Sequence, residues 1–284
     1  MRLVALTAAT MIAFAANSVL TRVALAEDMI GPLLFAAIRT AAGAAMLAIL
    51  VGHRGRRLAG SGGGALTLAL YMLGFSLAYV ALDTGTGALI LFGGVQVTMF
   101  AAALRAGEPV TARRWVGSAL AMLGLGALFW PIDLGGGETG WALAMALAAL
   151  GWGLYSLIGR RAADPLADTA GNFVRALPVV LLALAVGWVV AGVGPLRPLG
   201  VACAVVSGAV TSGLGYALWY SVLPRLDRST AALSQLTVPV IAAAGGVAFL
   251  GERPDLRLLL AGGTILCGVA LGLVQSEPRS GKKP

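Results

Sequence analysis

The sequence predicts an all-α polytopic membrane protein: ten transmembrane helices arranged as two inverted five-helix repeats, with both termini cytoplasmic. Three observations carry this. The 284 residues are 59% hydrophobic and 11% charged, with a mean hydropathy of +0.90. Soluble domains carry about 25% charged residues, so this chain has too little polar surface to cover a globule in water. One stretch is written twice: LDTGTGALILFGGVQVTMFAAALRAGE at 82–108 and LDRSTAALSQLTVPVIAAAGGVAFLGE at 226–252 superpose at a constant shift of 144. The basic residues, finally, collect on alternate flanks of the apolar runs, as membrane loops require.

A membrane helix needs about 20 largely apolar residues. Runs of that kind lie at 3–25, 31–51, 64–82, 84–104, 112–130, 140–159, 170–192, 199–221, 229–250 and 256–274. The first, behind Arg2, has the outline of a signal peptide with small residues near Ala16. It runs on through Val19, Leu20, Val23 and Leu25, however, and a shift of 138 pairs Phe14, Ser18 and Arg22 with Trp152, Ser156 and Arg160 of the sixth run. It is therefore read as an uncleaved first helix. The second run carries Arg39, matched to Arg175 of the seventh by a shift of 136. Asp83-Thr84 and Asp227-Arg228 leave almost no loop, so the third and fourth helices, and the eighth and ninth, are expected as tight antiparallel hairpins. The fifth and tenth carry strips of small residues, Gly117, Ala121 and Gly124 in one and Ala261, Thr264, Gly268 and Gly272 in the other. Such strips let backbones approach closely in lipid. Bulky substitution at such contacts between the halves is expected to stop transport and spare folding. Pro178 and Pro239 fall inside the seventh and ninth runs, where a freed carbonyl allows either a gating hinge or ordinary helix curvature.

Alternate flanks hold 14 and 4 of the Lys and Arg residues, with Arg39 and Arg175 left inside apolar runs. The richer side, which includes both termini, is cytoplasmic. Five helices per half is an odd number, so the second half enters the membrane upside down. The expected organisation is a first repeat at 1–131, an extracytoplasmic linker at 132–139, a second repeat at 140–276 and a cytoplasmic tail at 277–284. A repeat of this kind places a substrate between the halves, near the bilayer midplane.

No enzyme constellation is present: no HExxH, no GxSxG with a partner histidine, no Walker-type loop, no membrane-embedded pair of aspartates. No cofactor or metal is implied. Cys203 and Cys267 lack metal-ligand spacing, and His53 sits in a basic loop. The charge of +8 is dispersed between apolar runs rather than gathered on one face, which excludes nucleic acid as a partner. The informative residues are aromatic or polar within the runs. Tyr71, Phe75 and Tyr79 form one stripe, Tyr216, Trp219 and Tyr220 another, and Trp152 and Tyr155 lie one turn apart. Such residues serve either as core and interfacial belts or as the lining of a cavity that satisfies their polar tips. Asn17, Gln96 and Ser234 can hold an ammonium or carboxylate, or can bond between helices. Arg39 and Arg175 either pair with a substrate carboxylate or hold helix-end carbonyls as scaffold. Asp83, Asp227, Glu108 and Glu252 all stand at helix ends, and the paired Gly-Glu turns read as carboxylates near helix starts.

The repeated Gly107-Glu108-Pro109 and Gly251-Glu252-Arg253-Pro254, with one residue inserted in the second copy, together with the two five-helix halves, resemble the drug/metabolite transporter superfamily of EamA type. The overall pattern is similar to YddG-type exporters of aromatic amino acids. The resemblance implies a basket-shaped bundle in a bacterial inner membrane, a central cavity lined by helices 1, 3, 4, 6, 8 and 9, alternating access, and export of small neutral metabolites, above all apolar amino acids. The expected partners are that small molecule and the lipid bilayer, and the expected unit is a monomer. A carrier of nucleotide-sugars or organic phosphates would need more cations than Arg39 and Arg175. A non-transporting membrane subunit would not need the repeat.

Overall fold

The computed structural model describes residues 2–107, 111–129, 137–160, 162–226 and 234–273. Over these residues the chain is helical throughout. Its helices are α1 (Arg2–Ala26), α2 (Pro32–His53), α3 (Gly62–Ala78), α4 (Thr84–Arg105), α5 (Ala112–Phe129), α6 (Gly137–Gly159), α7 (Pro165–Ala191), α8 (Pro198–Val222), α9 (Thr237–Leu250) and α10 (Leu256–Leu273). Six of these, α1, α2, α4, α6, α7 and α8, are long and apolar enough to cross a membrane, and α3, α9 and α10 are shorter apolar helices. A 25-residue helix such as α1 rises about 37 Å, more than the roughly 30 Å of bilayer hydrocarbon.

Helix ends differ from the apolar runs where capping chemistry intervenes. α3 stops at Ala78 rather than 82, because 79–82 form a turn in which the N–H groups of Tyr79 and Leu82 bond back to Phe75 and Ala78. α7 begins at Pro165, ahead of its apolar run. Asp164 accepts the N–H of Ala167 at 3.3 Å, and proline takes the first helical position, where no N–H is needed. Burial pushes the Asp164 carboxyl up, but that N–H and the Arg56 guanidinium at 2.6 Å outweigh it and hold the group below its ordinary range. Pro178 lies inside α7 as expected. Pro239 lies in the first turn of α9, which starts at Thr237 after a break at Leu236 that follows the helical Ser234 and Gln235. The linker expected at 132–139 lies largely outside the described residues, and its end, from Gly137, already belongs to α6.

Polarity is distributed as lipid demands. Val189 is 88% exposed on the outside of α7, whereas Arg39 is 0% exposed inside the bundle. The helix contacts form a matched set. α1 packs on α8 and α9, as α6 packs on α3 and α4; α2 meets α8, as α7 meets α3. α2 with α7, α4 with α9 and α5 with α10 complete it.

The α5–α10 contact is made backbone to backbone. A Cβ at Gly268 would stand 2.6 Å from the Gly117 carbonyl oxygen, and one at Gly117 would stand 2.6 Å from the Gly272 nitrogen. No side-chain rotation relieves such a clash, so substitution is expected to act on the fold, contrary to the expectation that folding is spared. Gly117→Leu is expected to lower stability by about 1–3 kcal/mol, read as a lower thermal midpoint and less monodisperse protein in detergent. An unchanged midpoint would show that the two helices do not pack this closely.

Candidate functional site

The interior of the bundle is organised by an irregularity in α8. Residues Ser207–Leu214, SGAVTSGL, form a π-helical segment, a geometry that recurs at functional sites. Gly208 is required there because a Cβ would collide with the Arg39 carbonyl of α2. The segment turns Ser207, Thr211 and Ser212 inward, all buried. Opposite them, Asn17 of α1 accepts at Oδ1 from the Ser207 hydroxyl at 2.6 Å and the Thr211 hydroxyl at 3.1 Å. Its Nδ2 donates to the Tyr71 hydroxyl of α3 at 3.4 Å. Arg39 donates from Nη2 to the same hydroxyl at 2.8 Å and from Nε to Ser212 Oγ at 3.3 Å. Its guanidinium carbon lies 5.1 Å from the Tyr71 ring centre and 4.8 Å from that of Phe75, within the reach of cation–π attraction. One hydrogen-bonded network thus joins α1, α2, α3 and α8.

A narrow cavity of about 20 Å³ opens beside this network. It is lined by Phe14 and Asn17 of α1, Tyr71 of α3, Leu91 and Phe92 of α4, Trp152 of α6, and Thr211, Ser212 and Tyr216 of α8. Trp152 stands 5.0 Å from Tyr71 and 5.1 Å from Tyr216, and Phe14 meets Tyr216 edge-on at 5.8 Å. A water needs about 10–15 Å³ of such space, so in this conformation the cavity has room for about one water, and a larger molecule enters only when the walls part. Both predicted halves contribute to the wall, and residues 14 and 152, matched in sequence, face the same space.

Of the residues singled out from sequence, Asn17, Tyr71, Trp152 and Tyr216 line the cavity. Phe75 and Tyr79 continue the aromatic stack behind Tyr71, with ring centres 5.3 and 4.7 Å apart in succession. Tyr79 donates its hydroxyl to the Thr84 carbonyl at 3.3 Å. Tyr155 stacks on Trp152 and donates to Thr169 at 3.2 Å, and Trp219 packs on Phe14. Tyr220 is half-buried beside this core. Gln96 and Ser234 are half-buried and do not border the cavity, and α9 contributes no lining residue. Arg175 is exposed and donates to the Ala59 carbonyl in the α2–α3 connection, so the structure gives it the carbonyl-holding role and sets it apart from Arg39. Sequence reasoning missed Phe14, Leu91, Phe92, Thr211 and Ser212 as lining. The repeat match of Phe14 with Trp152, and the three hydroxyls within eight residues of α8, were the available signals.

A second polar cluster closes one end of the bundle. Arg22, near the end of α1, donates to the Tyr79 and Val80 carbonyls at 3.2 and 2.9 Å, to Asp83 at 3.3 Å and to Glu252 at 3.4 Å. Glu252 accepts the Thr84 N–H with both oxygens, at 3.0 and 2.9 Å, and the Thr84 hydroxyl at 3.0 Å. The carboxylate therefore stands at a helix start, but at that of α4, across the bundle, rather than at the helix that follows it.

A bundle of apolar helices with its polar groups turned to a central cavity is the architecture of an integral membrane protein. Residues 139–274 match the model of the EamA-like transporter family, whose members are polytopic membrane proteins that move small molecules. It is 46% identical to an uncharacterized protein of Pseudomonas aeruginosa over 99% of this chain and 96% of that protein. A solved crystal structure shares the fold, with a TM-score of 0.63 at 21% identity, covering 94% of this chain and 98% of the other.

Proposed function

We propose that the chain is an alternating-access exporter of small neutral metabolites, chiefly aromatic and other apolar amino acids, built as two inverted five-helix halves in a bacterial inner membrane with both termini cytoplasmic. The observation that carries the reading is the aromatic cavity with a polar floor, walled by α1, α3, α4, α6 and α8. The matched helix contacts support the two-half organisation. Rocking of one half against the other opens the cavity first to one side, then to the other. A phosphate carrier is disfavoured because Arg175 binds a loop carbonyl, leaving Arg39 as the cation of the cavity network.

The test is uptake of labelled phenylalanine, tryptophan, methionine and threonine into liposomes containing the purified protein, with and without a pH gradient. Saturable uptake with mutual competition is expected. Trp152→Ala removes two ring contacts of the wall. Each aromatic pair is worth about 0.5–1.5 kcal/mol beyond its burial, so uptake should fall about tenfold. Uptake no greater than that of empty liposomes, in folded protein, would sink the amino-acid reading.

A further inference from the structure

We infer that the cavity is a carboxylate site: it takes a small monocarboxylate with an apolar body at the hydroxyls of Tyr71 and Ser212, with the charge of Arg39 behind them. This rests on the proposed reading of the cavity as the place of the substrate, and it narrows the substrate class.

The argument is a count of protons. The Tyr71 hydroxyl accepts from Arg39 at 2.8 Å and from Asn17 at 3.4 Å. Arginine has donors only, so the proton of Tyr71 must be given elsewhere, and Tyr71 lines the cavity. The same holds for Ser212, which accepts from Arg39 Nε at 3.3 Å and, among the described residues, donates to none. Asn17 has a second amide proton to give, while its Oδ1 is already taken by Ser207 and Thr211. No aspartate or glutamate lines the space. The polar floor therefore offers several protons without a protein acceptor, and no carboxylate to take them.

The count of charge agrees. Arg39 is fully buried, and its Nη1 has no hydrogen-bond partner. Among the described residues the carboxylates in ion pairs are Asp83, Glu252 and Asp164, none of them with Arg39. A buried charge without a partner is costly, and the faces of Tyr71 and Phe75 offset only part of that cost. An anion held by hydroxyls that Arg39 itself polarises supplies the missing charge without touching the guanidinium. Phe14, Trp152 and Tyr216 then surround an apolar body. With no carboxylate in the wall, an α-amino group on the ligand is tolerated but not required.

The experiment is equilibrium binding to the purified full chain with three probes of one shape: 3-phenylpropionate, phenylalanine and phenethylamine. The two carboxylates are expected to compete for one site, and the amine to bind at least about tenfold more weakly. Tyr71→Phe and Ser212→Ala keep the shape of the wall and remove one donor each. Each should weaken the carboxylates about tenfold and leave the amine unchanged. Arg39→Met is informative only alongside these two, since it also removes a buried packing partner. Phenethylamine binding as well as 3-phenylpropionate, unchanged preference in Tyr71→Phe, or binding of none of the three would each overturn the carboxylate site. If phenylalanine is still taken up by liposomes in that event, the transport reading stands and only the site falls. If uptake is also absent, both fall.

Discussion

Glu252→Ala is expected to cost about 1–3 kcal/mol of stability, the range for leaving partly buried polar groups without their partner. The side chain of Glu252 is 12% exposed and that of Arg22 14%, so neither group is well hydrated. Asp83 holds the N-cap position of α4 by sequence, yet its side chain makes no capping bond. Glu252 does that work from the α9–α10 turn, accepting the Thr84 N–H and placing negative charge at the positive end of α4. Gly251 makes this reach feasible: at φ +67 it lets the chain reverse after α9, while the Glu252 N–H returns to the Gly246 carbonyl at 3.2 Å. Loss of the carboxylate therefore leaves the Thr84 N–H and hydroxyl without their acceptor, while Arg22 keeps Asp83 and the Tyr79 and Val80 carbonyls. Asp83→Ala is the control. Asp83 also meets Arg22, but its side chain is 54% exposed, and exposed pairs contribute about 0–1 kcal/mol. The thermal midpoint in detergent should drop sharply for Glu252→Ala and hardly move for Asp83→Ala. Equal drops would show that Arg22, not the bridge from the α9–α10 turn, holds this end of the bundle together.

These two sites differ in how far the sequence disclosed them. Order and number of helices were legible because each is an apolar run bounded by charge, glycine or proline. The small-residue strips of α5 and α10 were legible because close packing in lipid selects small residues at helical spacing, as in Gly117, Ala121 and Gly124, but not that they face each other. Tyr71, Trp152 and Tyr216 stood out as polar-tipped rings with no use for lipid. Phe14, Leu91 and Phe92 did not, since helices that are apolar almost all round carry no periodic signal to separate an inward face from a lipid face. Ser207, Thr211 and Ser212 stood out as polar residues within an apolar run, but which of them face the cavity was set by the π segment, whose i→i+5 bonding shifts the register in which residues share a face. Arg39 and Arg175 occupy matched positions and looked alike; only tertiary contacts separate a buried guanidinium on Tyr71 from an exposed one on a loop carbonyl. Glu252 read correctly as a carboxylate near a helix start, but its partner Thr84 lies 168 residues away. Nothing local in the sequence encodes that distance.

Asn17 is where fold and recognition can be pulled apart by two substitutions. Its side chain is buried and makes three bonds: two accepted by Oδ1 from Ser207 and Thr211, one donated to Tyr71. Asn17→Ala leaves two hydroxyls of the π segment without their acceptor, although Thr211 keeps a bond to the Ser207 carbonyl at 2.9 Å. An unsatisfied buried group costs about 1–3 kcal/mol, so this variant should lose stability and binding together. Asn17→Asp keeps an acceptor of the same shape for Ser207 and Thr211. It also adds a negative charge next to the Tyr71 hydroxyl that Arg39 holds, supplying from the protein the charge that a carboxylate ligand would bring. The fold should survive with a thermal midpoint close to that of the parent, while binding of 3-phenylpropionate should fall about a hundredfold, as expected when like charges are brought together in a site of low polarity. Phenethylamine, carrying the opposite charge, should bind more tightly to Asn17→Asp than to the parent. If both probes weaken equally, Asn17 shapes the cavity without setting its charge preference. If the aspartate variant unfolds as readily as the alanine variant, the network around Arg39 tolerates no anion, and the donor surplus in the cavity serves the packing of α8 rather than a ligand.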